Sequence, residues 1–199
     1  MKKVGITGGI GSGKTTVSHF FNLLNVPVFN ADAVAASILL NDHELHLQLI
    51  DLLGEEVMKE GKPDKKYIAA KIFANPELLH RMNALVHPKV RLAFEKWCET
   101  HQNHPYILKE AAILFESGTY KELDKIIMVS SPMELRKIRT SKRSGMRAEE
   151  FDKRVNNQWD DERKRAIADA EIINDEKHSI ITQVLNLHKQ LQHDSNTQQ

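Results

Sequence analysis

The sequence predicts an α/β fold in which short apolar strands alternate with amphipathic helices around a glycine-rich loop. Three observations predict it. In the run from Lys3 to Thr16, Gly8, four intervening residues and Gly13-Lys14-Thr15 satisfy the pattern G-x-x-x-x-G-K-[ST]. Its setting agrees: Val4 to Thr7 is a short apolar run, and Val17, Phe20, Phe21 and Leu24 fall at i, i+3, i+4 and i+7 on one helical face. Further strand-like runs recur at Val26–Phe29, from Pro105 to Leu108, from Lys125 to Val129 and from Ala170 to Asn174, separated by helical patterns.

Each loop residue has a chemical reason to be there. Glycines let successive backbone N–H groups turn inward around a phosphate without Cβ clashes, and the following helix adds the partial positive charge of its N-terminus. Lys14 can reach the β- and γ-phosphates of a nucleotide, and the Thr15 hydroxyl can ligate Mg²⁺. The candidate ATP-binding set is therefore Gly8, Gly9, Gly11, Ser12, Gly13, Lys14, Thr15 and Thr16.

Composition narrows the class. At 199 residues the chain can build one sizeable core with insertions. A net charge of +1 argues against a surface built for nucleic acid, so any basic function must be local. The single cysteine, Cys98, excludes an internal disulfide and fits a reducing compartment; beside Trp97 on an apolar helical face, it reads as a packed thiol. Lys2 and Lys3 precede no apolar signal core, and no apolar run is long enough to span a bilayer. The expectation is a soluble, cytoplasmic protein without a membrane or nucleic-acid partner.

Past the second strand, Asp32 precedes the helical run Ala33 to Leu40, where it reads equally as a helix N-cap or as a ligand contact at a strand's C-terminal edge. From about residue 43 to 104 the pattern is helical. Leu45, Leu49, Leu52 and Leu53 share a face that Gly54 ends, and Asp64 caps a helix through Phe73. Asn75-Pro76 starts another helix, and His87-Pro88 repeats that start signal before Val90, Phe94, Trp97 and Cys98. This stretch is too long for a single crossover helix and reads as an inserted substrate-binding region.

Glu110 sits near the end of what should be a central strand, where a carboxylate needs a partner or an ion. Ser131-Pro132-Met133-Glu134 reads as a capping box. Arg136, Arg139 and Arg143 at i, i+3 and i+7 line one helical face, with Ser144-Gly145 as a break. Such a face is commonly just solvated, but in a triphosphate-binding protein arginine forks suit developing phosphoryl charge. No aromatic residues interleave with the arginines, which weakens a nucleic-acid reading. Helical character then runs from Glu149 to Asp169, a last amphipathic helix spans 178–191, and the tail from His193 to Gln199 is polar and reads as disordered. The pairs His43/His46 and His101/His104 read as surface histidines, since no clearly placed third ligand accompanies either.

Taken together, the chain resembles the dephospho-coenzyme A kinase family from Val4 to about Asn174. The resemblance rests on the glycine-rich loop with Val17-Ser18, on Ala31-Asp32, Val86-His87-Pro88 and Leu114-Phe115-Glu116-Ser117-Gly118, and on the arginines, Gln158, Ala168-Asp169 and Asn174. It implies a P-loop nucleotide-kinase-like α/β fold: a five-stranded parallel sheet flanked by helices, a helical coenzyme-A-binding insertion and a mobile lid. On that basis 1–31, 105–135 and 168–199 form the nucleotide-binding core, 32–104 the substrate region and 136–167 the lid.

The resemblance also implies ATP with Mg²⁺ as donor and the ribose 3′-hydroxyl of 3′-dephospho-CoA as acceptor, in a monomer or small homo-oligomer. Asp32 matches the base or orienting group for that hydroxyl, His87 the His-Pro near the acceptor, and Arg143 and Arg139 the lid arginines. With Lys14 these are the candidate catalytic residues, and Asp32, His87 and Glu110 are the candidate substrate-binding ones. Three positions depart from the family. Asn30 replaces the first aspartate of Asp-Ala-Asp; Glu110-Ala111-Ala112 replaces Asp, an apolar residue and Pro; Arg136 stands where many members have Gln. The competing readings are another small-metabolite P-loop kinase and a nucleotide-dependent switch that transfers no phosphate.

Overall fold

The computed structural model describes residues 1–73 and 75–196. In chain order the elements are β1 (Lys2–Thr7), α1 (Lys14–Leu23), β2 (Val28–Asn30), α2 (Ala31–Asn41), α3 (His43–Leu53), β3 (Met58–Lys59), β4 (Lys62–Pro63), α4 (Lys65–Phe73) and α5 (Pro76–Glu99). There follow β5 (Tyr106–Glu110), β6 (Lys125–Ser130), α6 (Met133–Ser144), α7 (Ala148–Asn156), α8 (Asp161–Arg165), β7 (Ala170–Ile173) and α9 (Ile180–Asn196). The chain divides into two units, one of residues Met1–Asn30 with His101–Gln199, the other Ala31–Thr100.

The first unit is built on the sheet. All five expected strands are present, all are parallel, and their order is β2-β5-β1-β6-β7. The glycine loop leaves β1, which lies between β5 and β6, so it emerges at the point where strand connections diverge to the two sides. Side chains alternate across the sheet. Val4, Ile6, Tyr106, Leu108, Ile127, Val129 and Ile172 pack with Val17 and Phe21 of α1 and Val184 and Leu191 of α9. On the opposite face β1 presents Gly5, where an added Cβ would lie 2.6 Å from Leu123 and 2.7 Å from Leu114.

Several local expectations are corrected. The capping box does not form: α6 has Pro132 at its N-cap with no side-chain bond, because the Ser131 hydroxyl accepts from Arg139 at 3.0 Å instead. The helical stretch expected over 149–169 is two short helices, α7 and α8, parted at Asn157–Asp160, where the Asp160 carboxylate caps α8 through the Arg163 amide. The last helix continues through His193 to Asn196, and residues 197–199 of the expected tail lie outside the described residues.

On α9, His188 Nδ1 lies 2.6 Å from the hydroxyl of buried Tyr106. Burial pushes the Tyr106 hydroxyl's pKa up, so it stays protonated and donates, while burial holds the His188 pKa below its ordinary 6.5. The folded state thus favours neutral His188. This contribution is full above pH 6.5 and is lost as pH falls through the folded-state value, because the unfolded chain takes up the proton first. The thermal midpoint of the protein should therefore drop between pH 7.5 and 5.5 by more than that of His188→Gln. Parallel pH profiles for the two proteins would remove the pair from the acid sensitivity.

The second unit is helical, as expected, with one exception. Met58-Lys59 and Lys62-Pro63 form a small antiparallel hairpin whose two turn residues, Glu60 and Gly61, both have positive φ, at 52° and 75°. That is the backbone a twisted two-residue hairpin requires. Asp64 caps α4 through the amides of Lys66 and Tyr67, and Asn75 caps α5 ahead of Pro76. His87-Pro88 does not start a helix: α5 runs unbroken through it, with Pro88 in the helix interior. Pro88 has no N–H to offer the Ala84 carbonyl one turn back, and continuous burial of Met82, Val86, Val90, Phe94 and Cys98 carries the helix across the gap. His46 is not a surface residue but buried, its Nε2 3.0 Å from the Leu39 carbonyl. Lys89 of α5 joins Asp42 at 2.9 Å and Glu44 at 2.7 Å, fastening the start of α3. The hydrogen bond from Lys89 holds the Asp42 carboxyl below its ordinary range.

Candidate active site

The loop between β1 and α1 owes its shape to its glycines. Gly13 precedes α1 at φ +95° with Asn174 directly against it, so a side chain there would be strained and would collide with that amide. Gly11, at φ +77°, lies where a Cβ would sit 2.6 Å from the Arg136 carbonyl. The Ser12 amide donates to the Gly9 carbonyl at 3.1 Å, closing a tight turn, and the first turn of α1 aims its amides at the loop mouth. Lys14 Nζ crosses that mouth to the carbonyls of Gly8 at 3.0 Å and Gly9 at 3.3 Å. Thr16 is exposed in the first turn, and the Ser12 hydroxyl is buried with no hydrogen-bond partner among the described residues.

Glu110 finds its partners inside this unit. Its strand places it in register with Ile6 and with Asn30, and its side chain is only 3% exposed. The Thr15 hydroxyl donates to Glu110 Oε1 at 2.7 Å, and the Asn30 amide donates to Oε2 at 3.4 Å. A threonine hydroxyl beside a carboxylate, at the N-terminus of the phosphate-loop helix, is the hard-oxygen donor set that suits Mg²⁺ held chiefly by a nucleotide's phosphates. Among the described residues no group of three or more His, Cys, Asp or Glu could hold a metal ion.

The arginine face is divided by burial. Arg136 is 2% exposed, its guanidinium lies against Gly9, Nε donates to the Ile10 carbonyl at 2.9 Å and Nη1 pairs with Asp161 at 3.2 Å. Burial pulls its pKa down, while Asp161 opposes that shift. Arg139 is fastened to Ser131 Oγ, to the Asn174 carbonyl and Oδ1, and to Glu176 at 3.1 Å. Asn174 in turn donates to the Ser12 carbonyl at 2.7 Å, so Arg139 is joined to the loop through it. Arg143 is exposed in the last turn of α6, ahead of Gly145 at φ +65°. Asp32 falls in the first turn of α2, the second residue of the helix and not its cap, two residues past the end of β2. His87 is half-buried in the middle of α5, in the same unit as Asp32.

The structure thus gathers Lys14, Thr15, Glu110 and the loop glycines at one end of the sheet, with Arg139 on a neighbouring edge. From the sequence, Gln158 and Asn174 enter only through the resemblance, and Arg136 reads with Arg139 and Arg143 as a face suited to phosphoryl charge, whereas the structure buries Arg136 against the loop. The available signal for Arg136 was its i, i+4 relation to Thr140, since both are buried on the α6 face that meets the loop.

A family model for dephospho-CoA kinase matches residues 2–179. The dephospho-CoA kinase of Bacteroides fragilis is 39% identical over 185 residues, which covers 93% of this chain and 90% of that protein. That of Chlorobaculum tepidum is 41% identical, covering 86% of each. A crystal structure of a Thermus thermophilus protein superposes with a TM-score of 0.84 at 31% identity, over 94% of this chain and 95% of the other. The dephospho-CoA kinase of Campylobacter jejuni superposes with a TM-score of 0.70 at 26% identity, over 96% of this chain and 98% of its own.

Proposed function

This chain belongs to the dephospho-CoA kinase family, and we propose a division of labour among its residues in that reaction. The activity is transfer of the γ-phosphate of ATP to the ribose 3′-hydroxyl of 3′-dephospho-CoA, giving CoA and ADP in the final step of coenzyme A synthesis. The loop amides of Gly8 to Thr16, with Lys14, hold the β- and γ-phosphates. Thr15 and Glu110 would hold Mg²⁺, which when bound offsets charge between those phosphates. Asp32 orients or deprotonates the attacking hydroxyl, and His87 contributes to acceptor binding. Arg143 meets the charge on the transferring group, and Arg139 borders the nucleotide beside Asn174.

The segment 136–167 serves as a lid, 32–104 binds the acceptor, and 1–31, 105–135 and 168–199 bind the nucleotide. Catalysis of this kind is chiefly positioning and electrostatics, so water exclusion by the lid matters as much as any base. The protein works in the cytoplasm as a monomer or small homo-oligomer on small-molecule substrates. In support, the one cysteine is a buried free thiol, and among the described residues no helix is long and apolar enough to cross a membrane. The observation that carries the residue assignment is the 2.7 Å bond between Thr15 and Glu110 beside Lys14, which unites a loop hydroxyl with the carboxylate of a different strand.

The test is ADP release from Mg·ATP with and without 3′-dephospho-CoA, with product mass determined. Release that depends on the acceptor, and a product heavier by one phosphoryl group, is the expected result. A folded, ATP-binding protein that the acceptor fails to stimulate would overturn the assignment.

A further inference from the structure

The peptide at the tip of the phosphate loop is held from outside the loop. Ile10 lies between Gly9 and Gly11, and peptides flanked by glycine reorient with little steric resistance. Yet both polar groups of Ile10 are taken. Its N–H donates to Gln158 Oε1 at 3.0 Å, and its carbonyl accepts from Arg136 Nε at 2.9 Å. The other end of the Gln158 amide, Nε2, donates to the Ala112 carbonyl at 3.0 Å. Ala112 lies two residues beyond Glu110, the carboxylate bonded to Thr15. Gln158 therefore spans the gap between the phosphate loop and the chain leaving β5, while Thr15 and Glu110 close the same gap at its base.

The residues around Gln158 keep it in place. Its own N–H donates to the Val155 carbonyl at 2.9 Å, and the next amide, that of Trp159, donates to Glu116 Oε1 at 2.7 Å. Glu116 pairs at 3.1 Å with Lys164, which is fully buried. The Trp159 ring stacks on Phe115 at 5.7 Å, and the Arg163 guanidinium lies 3.4 Å from the Trp159 ring centroid. Such anchoring is more than a surface turn needs, and it delivers one amide group to two backbone partners.

We propose that Gln158 is a positioning residue for phosphoryl transfer: with Arg136 it fixes the Ile10 peptide, and so the inward aim of the amides that follow it, and through Ala112 it sets the spacing between the phosphate loop and the Glu110 strand. Both ends of its amide are taken by backbone groups. Its effect is on how well the loop is formed before the nucleotide arrives. The proposal rests on the kinase reading only in taking the loop to hold ATP, so equilibrium binding of ATP without acceptor tests it independently of what the acceptor is.

Gln158 also lines a cavity of about 530 Å³ with Arg136, Trp159 and Asp161, so substitutions there do not crowd a filled core. Two variants of the full chain decide the matter. Gln158→Leu keeps the size and loses both bonds. Gln158→Asn keeps an uncharged amide but is one methylene shorter, so it cannot span both the Ile10 N–H and the Ala112 carbonyl. Calorimetric ATP binding should weaken roughly tenfold in Gln158→Leu, the scale of one or two lost neutral hydrogen bonds, and less in Gln158→Asn. Binding of 3′-dephospho-CoA should stay within a few-fold of the parent in both. ATP affinity unchanged in Gln158→Leu, or equal losses for ATP and 3′-dephospho-CoA, overturns the positioning role. If Gln158→Leu does not fold, the ratio of the two affinities in Gln158→Asn decides alone: a selective loss for ATP supports the proposal, and an unselective loss or none rejects it.

Discussion

Arg143→Ala is expected to lower kcat by about 10³-fold or more while ATP affinity changes only a few-fold, the low end of what an arginine supplied to a transferring phosphoryl group contributes. The side chain is exposed at the end of α6, so its removal opens no cavity, and a kinetic loss reports on chemistry and not on folding. Steady-state turnover at saturating substrates, with ATP binding measured separately, checks this. Near-normal turnover takes Arg143 out of the mechanism. Arg139→Ala should behave differently, because Arg139 is bonded to Ser131, Asn174 and Glu176 and reaches the loop through Asn174. Its loss should show in ATP affinity first.

Asp32→Asn should cost about 10²–10⁴ in kcat, the range of a positioned carboxylate that takes or orients a proton. The substitution keeps shape and hydrogen-bonding reach and removes the charge. Because Asp32 is inside the first turn of α2, asparagine there leaves the helix intact, so the thermal midpoint should hardly move. Binding of 3′-dephospho-CoA by calorimetry should persist within a few-fold. A variant that turns over normally would show that the carboxylate is not needed for the hydroxyl, and one that merely loses acceptor affinity would reassign Asp32 to binding.

What was legible in the sequence was whatever local spacing records. The phosphate loop is contiguous, each strand is a short apolar run, and Asp64 and Asn75 sit one step ahead of their helices. Glu110 was legible as a problem, a carboxylate in a buried strand, but its solution was not, because Thr15 is 95 positions away. The errors share a cause. His87-Pro88 repeats the start signal of Asn75-Pro76, whereas core packing along one face holds α5 together across it. Ser131 had the right spacing for a cap, and a distant arginine took its hydroxyl. The Met58–Pro63 hairpin has strands of two residues, too short for any period to show. Helical spacing puts Arg136 on one face with Arg139 and Arg143 and so suggests a shared phosphate role; only the fold shows that side-chain-free glycines leave it room to be buried beside the loop.

The seventy residues Ala31–Thr100 form one uninterrupted unit between β2 and β5, which are neighbours in the sheet. The consequence is one of time more than of stability. The chain entropy lost in bringing two ends together grows only with the logarithm of the intervening length. An insertion of this size therefore adds about 2 kcal/mol over a connection a tenth as long. The rate responds more strongly, since the β2–β5 and β1–β5 pairings are contacts between distant parts of the sequence, which form late. A segment with its own buried leucines and valines can collapse first, and once it has done so the sheet closes around a short effective loop instead of a long one.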